Sequence, residues 1–530
     1  MKQSWLKQLL MAIFMLPSMY AVSYAAEKAV PIAPKAYGGS WATVVGLGTP
    51  RQFHTTTRLT NGIFLTVGGY TNTVGGDLVP LATAEQYNPG TNLPVAGTAA
   101  LNTARAEHTA TLLPPACGNR VLVVGGRDVN NNATDIAELY NPATNTWANL
   151  GSMGIGRSSH TATLLPGNGC RVLIIGGDNT DYIPVGGAII YSHTFNATTG
   201  AISDITWTNA GNLANARTYH TATLLSSGRV LVTGGADANN EALKTSEIYN
   251  PATNTWSMTT SLNIARVAHT ATELANQLVL VAGGANANNS GLNSAEIYDP
   301  ATGLWTMAAN FVGGRAEHTA TLLHNGEVLI AGGSPGNNIA LNSAQIYDPS
   351  TDSWRTTNVV MVGGGRYAHT ATLVDLLPTP RMLPGNANTT YNNNAGGMVY
   401  LVGGSGGIAT LATATRYTPT AITLQATIPA ATTNGNAPIP IPNGLNNAIF
   451  NGRVNAANAD DTTVARFEYG LTTNYGSTIL ADPNPIVAGT NTLVIPATAN
   501  TTVGGLLCNN TYNYRVIAID NATGNTVIGG

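Results

Sequence analysis

RAEHTATLL, Arg105 to Leu113, followed by RVLVVGG, Arg120 to Gly126, is the unit on which the chain is built. Its opening, Arg-x-x-His, recurs at Arg51/His54, Arg105/His108, Arg157/His160, Arg217/His220, Arg266/His269, Arg315/His318 and Arg366/His369. Each opening leads into an apolar run that ends in a glycine pair, from Gly68-Gly69 in the first copy to Gly403-Gly404 in the seventh. Successive pairs stand 57, 51, 58, 49, 49 and 71 residues apart. A period near fifty made of short strand-like segments predicts the blades of a β-propeller rather than a helical solenoid.

Four segments recur within each unit. HTATLL reads as strand a, and RVLVV or EVLIA as strand b. A segment with Tyr before Asn-Pro or Asp-Pro, as in AELYNP (Ala137 to Pro142) and AEIYDP (Ala295 to Pro300), reads as strand c. Strand d carries a Trp, and Trp147, Trp207, Trp256 and Trp305 each lie ten residues before the next Arg. The order makes physical sense. Blades are crowded near the axis and splayed at the rim, so small residues belong on a and b, Tyr on c and Trp on d. The glycine pair permits close backbone approach and positive φ. Asn-Pro and Asp-Pro preset the turn after strand c. The Trp fills the gap between blades, with an indole N–H that needs a partner.

The arginines and histidines recur whatever the loops contain, which is what a structural role predicts. Glu85, Glu138, Glu247 and Glu296 on strand c are the expected partners of the arginines, and Ile189, Gln345 and Thr415 break that pattern in blades 3, 6 and 7.

Glycine pair, Tyr and Trp in this order resemble the kelch repeat, over roughly Trp41 to Tyr417. The resemblance implies an all-β, seven-bladed kelch propeller. Val95 replaces the Trp in blade 1, and Ser192-His193 replaces Asn-Pro after Tyr191 in blade 3. Blade 7 has no Trp after Tyr417, whereas Trp41 lies ten residues before Arg51 with no blade of its own. SWATVV, Ser40 to Val45, is therefore expected to be strand d of blade 7, closing the ring and removing its open edge.

The repeat signals stop near Ala421. After a Pro/Asn-rich stretch, the runs IFNGRVNA, VARFEYG, NTLVIPA and TYNYRVIAI alternate with period two, as in a small sandwich. Leu506 to Tyr512 with Tyr514-Arg515-Val516 resembles the tyrosine corner and strand F of an immunoglobulin- or fibronectin III-like domain, and the chain stops in what should be its last hairpin. The expected organisation is a signal peptide over 1–25, a linker over 26–39, a propeller over 40–420, a linker or first strand over 421–447 and a sandwich over 448–530.

The signal peptide rests on basic Lys2 and Lys7, the apolar run Leu9 to Leu16 and the small-x-small site Ser23-Tyr24-Ala25. It implies a secreted, periplasmic or cell-surface protein with no membrane segment once the signal is cleaved. Charged residues make up 9% of the chain, the formal net charge is −3 and no basic stripe occurs, which argues against nucleic-acid binding. In an oxidising compartment three cysteines leave at most one pair and one leftover. Cys117 and Cys170 fall in the a–b hairpins of adjacent blades and are expected to form a disulfide; Cys508 is left over.

Function is less legible. The layout resembles galactose oxidase, a copper enzyme, and Tyr219-His220 matches its Tyr-His pair. That family also needs a Tyr cross-linked to Cys and a His from the C-terminal domain, and no His follows Ala421. Alternating oxygen ligands at Asp128, Asn130, Asn132 and Asp135, and at Asp237, Asn239 and Glu241, suggest calcium, although Asn-rich turns explain them as well. No Ser-His-Asp signature, phosphate loop or CxxC pair appears. The first reading is a non-enzymatic exported binding or adhesion module for a protein or glycan ligand, without a cofactor; the second is a carbohydrate-acting enzyme.

Strand alternation gathers the b–c loops and d–a turns at one end of the ring. Variable polar loops on a constant frame form a recognition surface there, with Arg127, Asp128, Asp178, Asp181, Tyr182 and Asp237 as expected contacts. DNTDYIPVGG, Asp178 to Gly187, reads as an insertion on that face, and the long blade 7 loop, Leu376 to Gly397, projects from the other.

Overall fold

The structure, a computed structural model, describes residues 39–419 apart from 168, 325, 358–359 and 375–396, and beyond them the backbone of eight strands between 425 and 529. The chain divides into two compact units.

The first unit is a ring of seven four-stranded antiparallel sheets. Blade 2 shows the pattern: strand a is Thr109–Leu112, b is Val121–Val124, c is Ile136–Asn141 and d is Thr146–Ser152. All four residues of its strand b are buried. Period two explains why: Leu122 and Val124 enter the core shared with blade 3, and Val121 and Val123 the core shared with blade 1. A strand buried on both faces reads as an uninterrupted apolar run, which is how RVLVV reads. Strand d is the outer edge. Trp147 packs at a tilt against Tyr140 with ring centroids 4.9 Å apart and donates its indole N–H to the Ala99 carbonyl of blade 1 at 2.9 Å. Trp256, Trp305 and Trp354 repeat that bond across their own blade junctions.

Blade 7 takes its outer strand from the beginning of the chain. Ser40–Val44 pairs with Ala414–Thr418, and Trp41 meets Tyr417 at 5.0 Å, the contact blades 2 to 6 make internally.

The repeated Arg, His and Gly residues form the lattice that holds blades together. Each Arg donates to the carbonyl of the first glycine of its own blade and to a second carbonyl at the start of strand c; Arg105 reaches Gly125 O at 2.9 Å and Ile136 O at 2.7 Å. Glu85, Glu138, Glu247 and Glu296 pair with their arginines at 2.6 to 2.8 Å, as expected. The same carboxylates cap the incoming d–a turn, Glu138 accepting from the Asn102 and Thr103 amides. Where Gln345 replaces Glu, it accepts from Val312 N and donates to Val312 O. Each His places Nε2 on a strand-a Thr of the preceding blade, from His108 on Thr55 at 3.0 Å round to His54 on Thr370 at 3.2 Å. The glycines are required for the same contacts. Gly125 and Gly126 have φ of +63° and +96°, and a Cβ on Gly125 would overlap the Arg157 carbonyl.

Cys117 and Cys170 are joined by a disulfide with Cα atoms 5.6 Å apart, inside the core between blades 2 and 3. Blade 3 departs from the sequence reading. Its b–c loop runs ten positions from Gly177 to Gly187, as blade 2 runs from Gly126 to Ile136, so Asp178 to Gly187 is not an insertion. The extra residues lengthen the c–d hairpin, Gly187–Phe195 with Ile202–Asn212, at the other end of the blade. Ser192-His193 supplies no proline turn, so the strand continues past Tyr191. The hairpin packs on the a–b turn of blade 2, where Arg120 donates to Gly200 O at 2.6 Å. The blade 7 loop expected on this face, Leu376 to Gly397, lies outside the described residues but for its last glycine.

In the second unit, Gln425–Thr427, Ala448–Asn455 and Leu493–Ala499 form one antiparallel sheet. Ser477–Leu480, Thr462–Gly470, Asn513–Asp520 and Thr526–Gly529 form another in that order, with Ile486–Val487 also paired to Thr462–Gly470.

Candidate functional site: the mouth of the ring

The third residue of each Arg-x-x-His lies on a closed circle around the ring axis. Phe53, Glu107, Ser159, Tyr219, Ala268, Glu317 and Ala368 all have φ between 49° and 57°. Each amide donates to the carbonyl of the residue one blade earlier, from Glu107 on Phe53 at 3.1 Å through Ala368 on Glu317 at 3.1 Å to Phe53 on Ala368 at 3.1 Å. Left-handed backbone at a non-glycine residue costs about 1–2 kcal/mol. Here the hydrogen-bonded circle enforces it seven times, and identity at these positions is free to vary.

Above the circle, the second residue of each Arg-x-x-His bridges the residue after the glycine pair: Gln52 to Tyr70, Ala106 to Arg127, Ser158 to Asp178, and so on round to Tyr367 with Ser405. In an antiparallel bridge the paired side chains share a side. After the glycine pair, blades 1 to 3 place Tyr70, Arg127 and Asp178 there, whereas blades 4 to 7 place Ala236, Ala285, Ser334 and Ser405, the last opposite Tyr367.

The polar side is tightly wired. Arg127 and Asp178, each 1% exposed, pair at 3.0 Å, and Ser158 donates to the same carboxylate oxygen. Arg127 Nε lies 3.8 Å from Glu107, its Cζ sits 3.6 Å over the Tyr182 ring, and the Tyr182 hydroxyl meets Asn131. Ser159 Oγ donates to Glu107 at 2.9 Å, and the Tyr70 phenol faces the same carboxylate. Burial pulls the Arg127 guanidinium down, but Asp178 and Glu107 outweigh it and hold the group above its ordinary range. Burial raises the Asp178 carboxyl to about 6, against the pull of Arg127. Tyr219 is pushed well up, by burial first and then by Glu107 and Asp178.

Glu317 is the exception. Its neighbours on the circle are Ala268 and Ala368, and among the described residues its carboxyl accepts no hydrogen bond. Burial, with Glu107 adding repulsion, raises it to about 7. Asp178 Oδ2 and Gln52 Oε1, which are fully buried where Glu317 is half-buried, have no partner among the described residues either.

Of the six residues expected as ligand contacts, the structure brings Arg127, Asp178 and Tyr182 together. Asp128 and Asp237 instead anchor loop turns. Asp128 Oδ1 accepts from the Asn130 and Asn132 amides, and Asp237 Oδ1 from Asn239 and Glu241. Asn179 and Asn286 do the same with an amide oxygen, so the turn does not depend on a carboxylate. Asp181 is exposed at a loop tip. For the calcium ligands, Asp135 accepts from Ser152, and Asn130 and Asn132 are exposed. Among the described residues, no three His, Cys, Asp or Glu side chains are grouped to hold a metal. His220 makes the interblade bond of the other six histidines, to Thr161 at 2.9 Å. Glu107, Tyr219 and Glu317 were not among the expected contacts. The signal was present: two positions vary freely between an Arg and a His that are constant in seven copies.

Comparison with known families places the sequence pattern beside this geometry. The KLHDC2/KLHL20/DRC7 Kelch-repeats domain model matches residues 159–376, and the Kelch motif model matches 114–154. The ring is a kelch propeller. No curated protein matches the chain by sequence. Among solved structures, the chain is similar to a fungal alcohol oxidase of the AA5 family in complex with copper, at 13% identity and TM-score 0.52, over 93% of this chain and 99% of that one. It is also similar to YjhT, at 15% identity and TM-score 0.42, over 59% of this chain and 99% of that one. At such identities the likeness to the oxidase concerns the fold alone.

Proposed function

We propose that this kelch protein is an exported binding or adhesion module that takes a protein or glycan ligand at the mouth formed by its b–c loops and d–a turns. One observation carries the reading. Side chains that differ from blade to blade converge on that mouth, while the Arg, His and Gly lattice beneath them is the same in every blade. A frame that repeats and a surface that does not is the build of a recognition site. The N-terminal signal pattern supports export to the cell surface, the periplasm or the medium. The strand order of the C-terminal unit, three strands in one sheet and four or more in the other, supports a fibronectin III-like spacer. No cofactor enters this reading. A screen of the purified protein against glycans and candidate partner proteins, repeated with Arg127→Ala, tests it. A ligand bound equally by both would place recognition elsewhere.

A second reading has its own observation. Glu107 and Glu317 stand on opposite arcs of the circle, one well hydrogen-bonded and the other raised to about 7. A carboxyl raised to about 7 with a second carboxyl across the site is the arrangement acid–base hydrolysis of a glycoside uses. Release of nitrophenol from a panel of nitrophenyl glycosides, abolished by Glu317→Gln, would favour it; no turnover across the panel would dismiss it.

A further inference from the structure

We infer that the mouth accepts a basic side chain, the amine of Lys or the guanidinium of Arg, presented by a partner protein whose aliphatic neighbours rest on the surrounding loop tips. The inference rests on the binding reading above and names its ligand.

Three carboxylates, Glu107, Asp178 and Glu317, converge on the mouth against one guanidinium, Arg127. Four of the seven repeat arginines are neutralised by strand-c glutamates, and none of the seven is among the charges that act on Asp178 or Glu317. Arg127 is held by Asp178, by the Asn131 and Asn179 carbonyls and by the Tyr182 ring, and its one unbonded nitrogen, Nε, is buried 3.8 Å from Glu107, a position an anion would find repulsive. Glu317, by contrast, stands half-buried between two alanines of the circle with no hydrogen bond to its carboxyl among the described residues, and Asp178 Oδ2 is buried without a donor. A buried carboxylate without a partner is costly, and an incoming cation removes that cost while gaining charge-assisted hydrogen bonds. Tyr70, Tyr219 and Phe53 bound the same space, and aromatic walls suit an alkylammonium or guanidinium.

The rim identifies the kind of molecule that carries the cation. Val74, Val129, Ile183, Ile339 and Ile408 are exposed on the b–c loops, and Val45, Ile155, Val312 and Val360 on the linkers into strand a. The other exposed large apolar residues, Val79 apart, lie on outer d strands, and none among the described residues lies in an a–b turn. Aliphatic tips around an acidic centre fit a protein segment with a basic residue between apolar ones.

The test is titration calorimetry of the full chain with the peptide Ac-Val-Ala-Lys-Ala-Val-amide, its Arg form, and counterparts with norleucine or Glu at the centre. The Lys and Arg peptides should bind, and the norleucine peptide should bind at least about tenfold more weakly, the loss expected for one charge-assisted bond. Binding at pH 7 should release a proton as Glu317 ionises, seen as a dependence of the heat on buffer. Glu317→Gln should weaken the Lys peptide by a similar factor and abolish the proton release, with Tm unchanged or raised as evidence of folding. Equal binding of the norleucine peptide, preference for the Glu peptide, or an unaltered Glu317→Gln affinity would overturn the inference. If no peptide binds but a glycan protects the same loops, this inference fails and the mouth reading stands. If a ligand protects the a–b turns instead, both fail.

Discussion

At the scale of single residues, the buried Arg–Glu pairs make a sharp prediction. Glu138→Ala would leave the Arg105 guanidinium and the Asn102 and Thr103 amides without their acceptor, and should cost about 3–5 kcal/mol. Glu138→Gln should cost less than half of that, because Gln345 already occupies the equivalent position in blade 6 and bonds Val312 in both directions. Urea unfolding of the two variants separates the outcomes, and equal losses would contradict the assignment. In the mouth, Tyr182→Ala should cost about 1 kcal/mol, since it removes a cation–π contact with Arg127, whereas Asp181→Ala at an exposed tip should leave stability within about 0.5 kcal/mol. Arg, His and the glycine pair were legible in the sequence because each is fixed by a contact every blade repeats. Glu107, Tyr219 and Glu317 were not picked out, because sequence spacing says nothing about which side chains a closed circle turns toward its axis.

Among elements, the N-terminal strand is the most exposed to test. Ser40–Val44 supplies the outer strand of blade 7 and Trp41 its Tyr417 contact, so removing residues 26–48 should lower the Tm of the whole ring. An unchanged Tm would contradict closure by this strand. The Cys117–Cys170 disulfide closes a separation of 53 residues, and its reduction should cost about 4 kcal/mol on the chain-entropy account, measured as a shift in the denaturant midpoint. Strand order and ring closure could be read from Trp spacing, since Trp41 stands ten residues before Arg51 as Trp147, Trp207, Trp256 and Trp305 do before their arginines, although Trp354 stands twelve before Arg366. The blade 3 hairpin could not be placed in the same way. A 58-residue spacing gives the size of an insertion but not its loop, and the missing proline after Tyr191 was the residue that located it.

For the whole molecule, burial sets the response to acid. The seven interblade histidines are held neutral, burial pulling His54, His160 and His318 down to about 3 and the other four well below their ordinary value. The unfolded chain takes up those protons near pH 6.5, so stability is full above that pH and drains as pH falls toward about 3. Glu317 and Asp178 act in the opposite sense, their raised carboxyls relieving a penalty as pH falls below about 7 and about 6. Seven groups oppose two, so Tm should fall steadily from pH 7 to pH 4; a flat profile would contradict the buried lattice. The central claim is that the b–c face is where this propeller meets its ligand. Hydrogen exchange of the full chain, with and without a ligand found by screening, tests it most directly. The account predicts slowed exchange in 70–81, 127–135 and 178–186 and in the circle amides of Glu107 and Glu317, with the a–b turns at 113–120 and 165–171 unchanged. Protection confined to those a–b turns would contradict it.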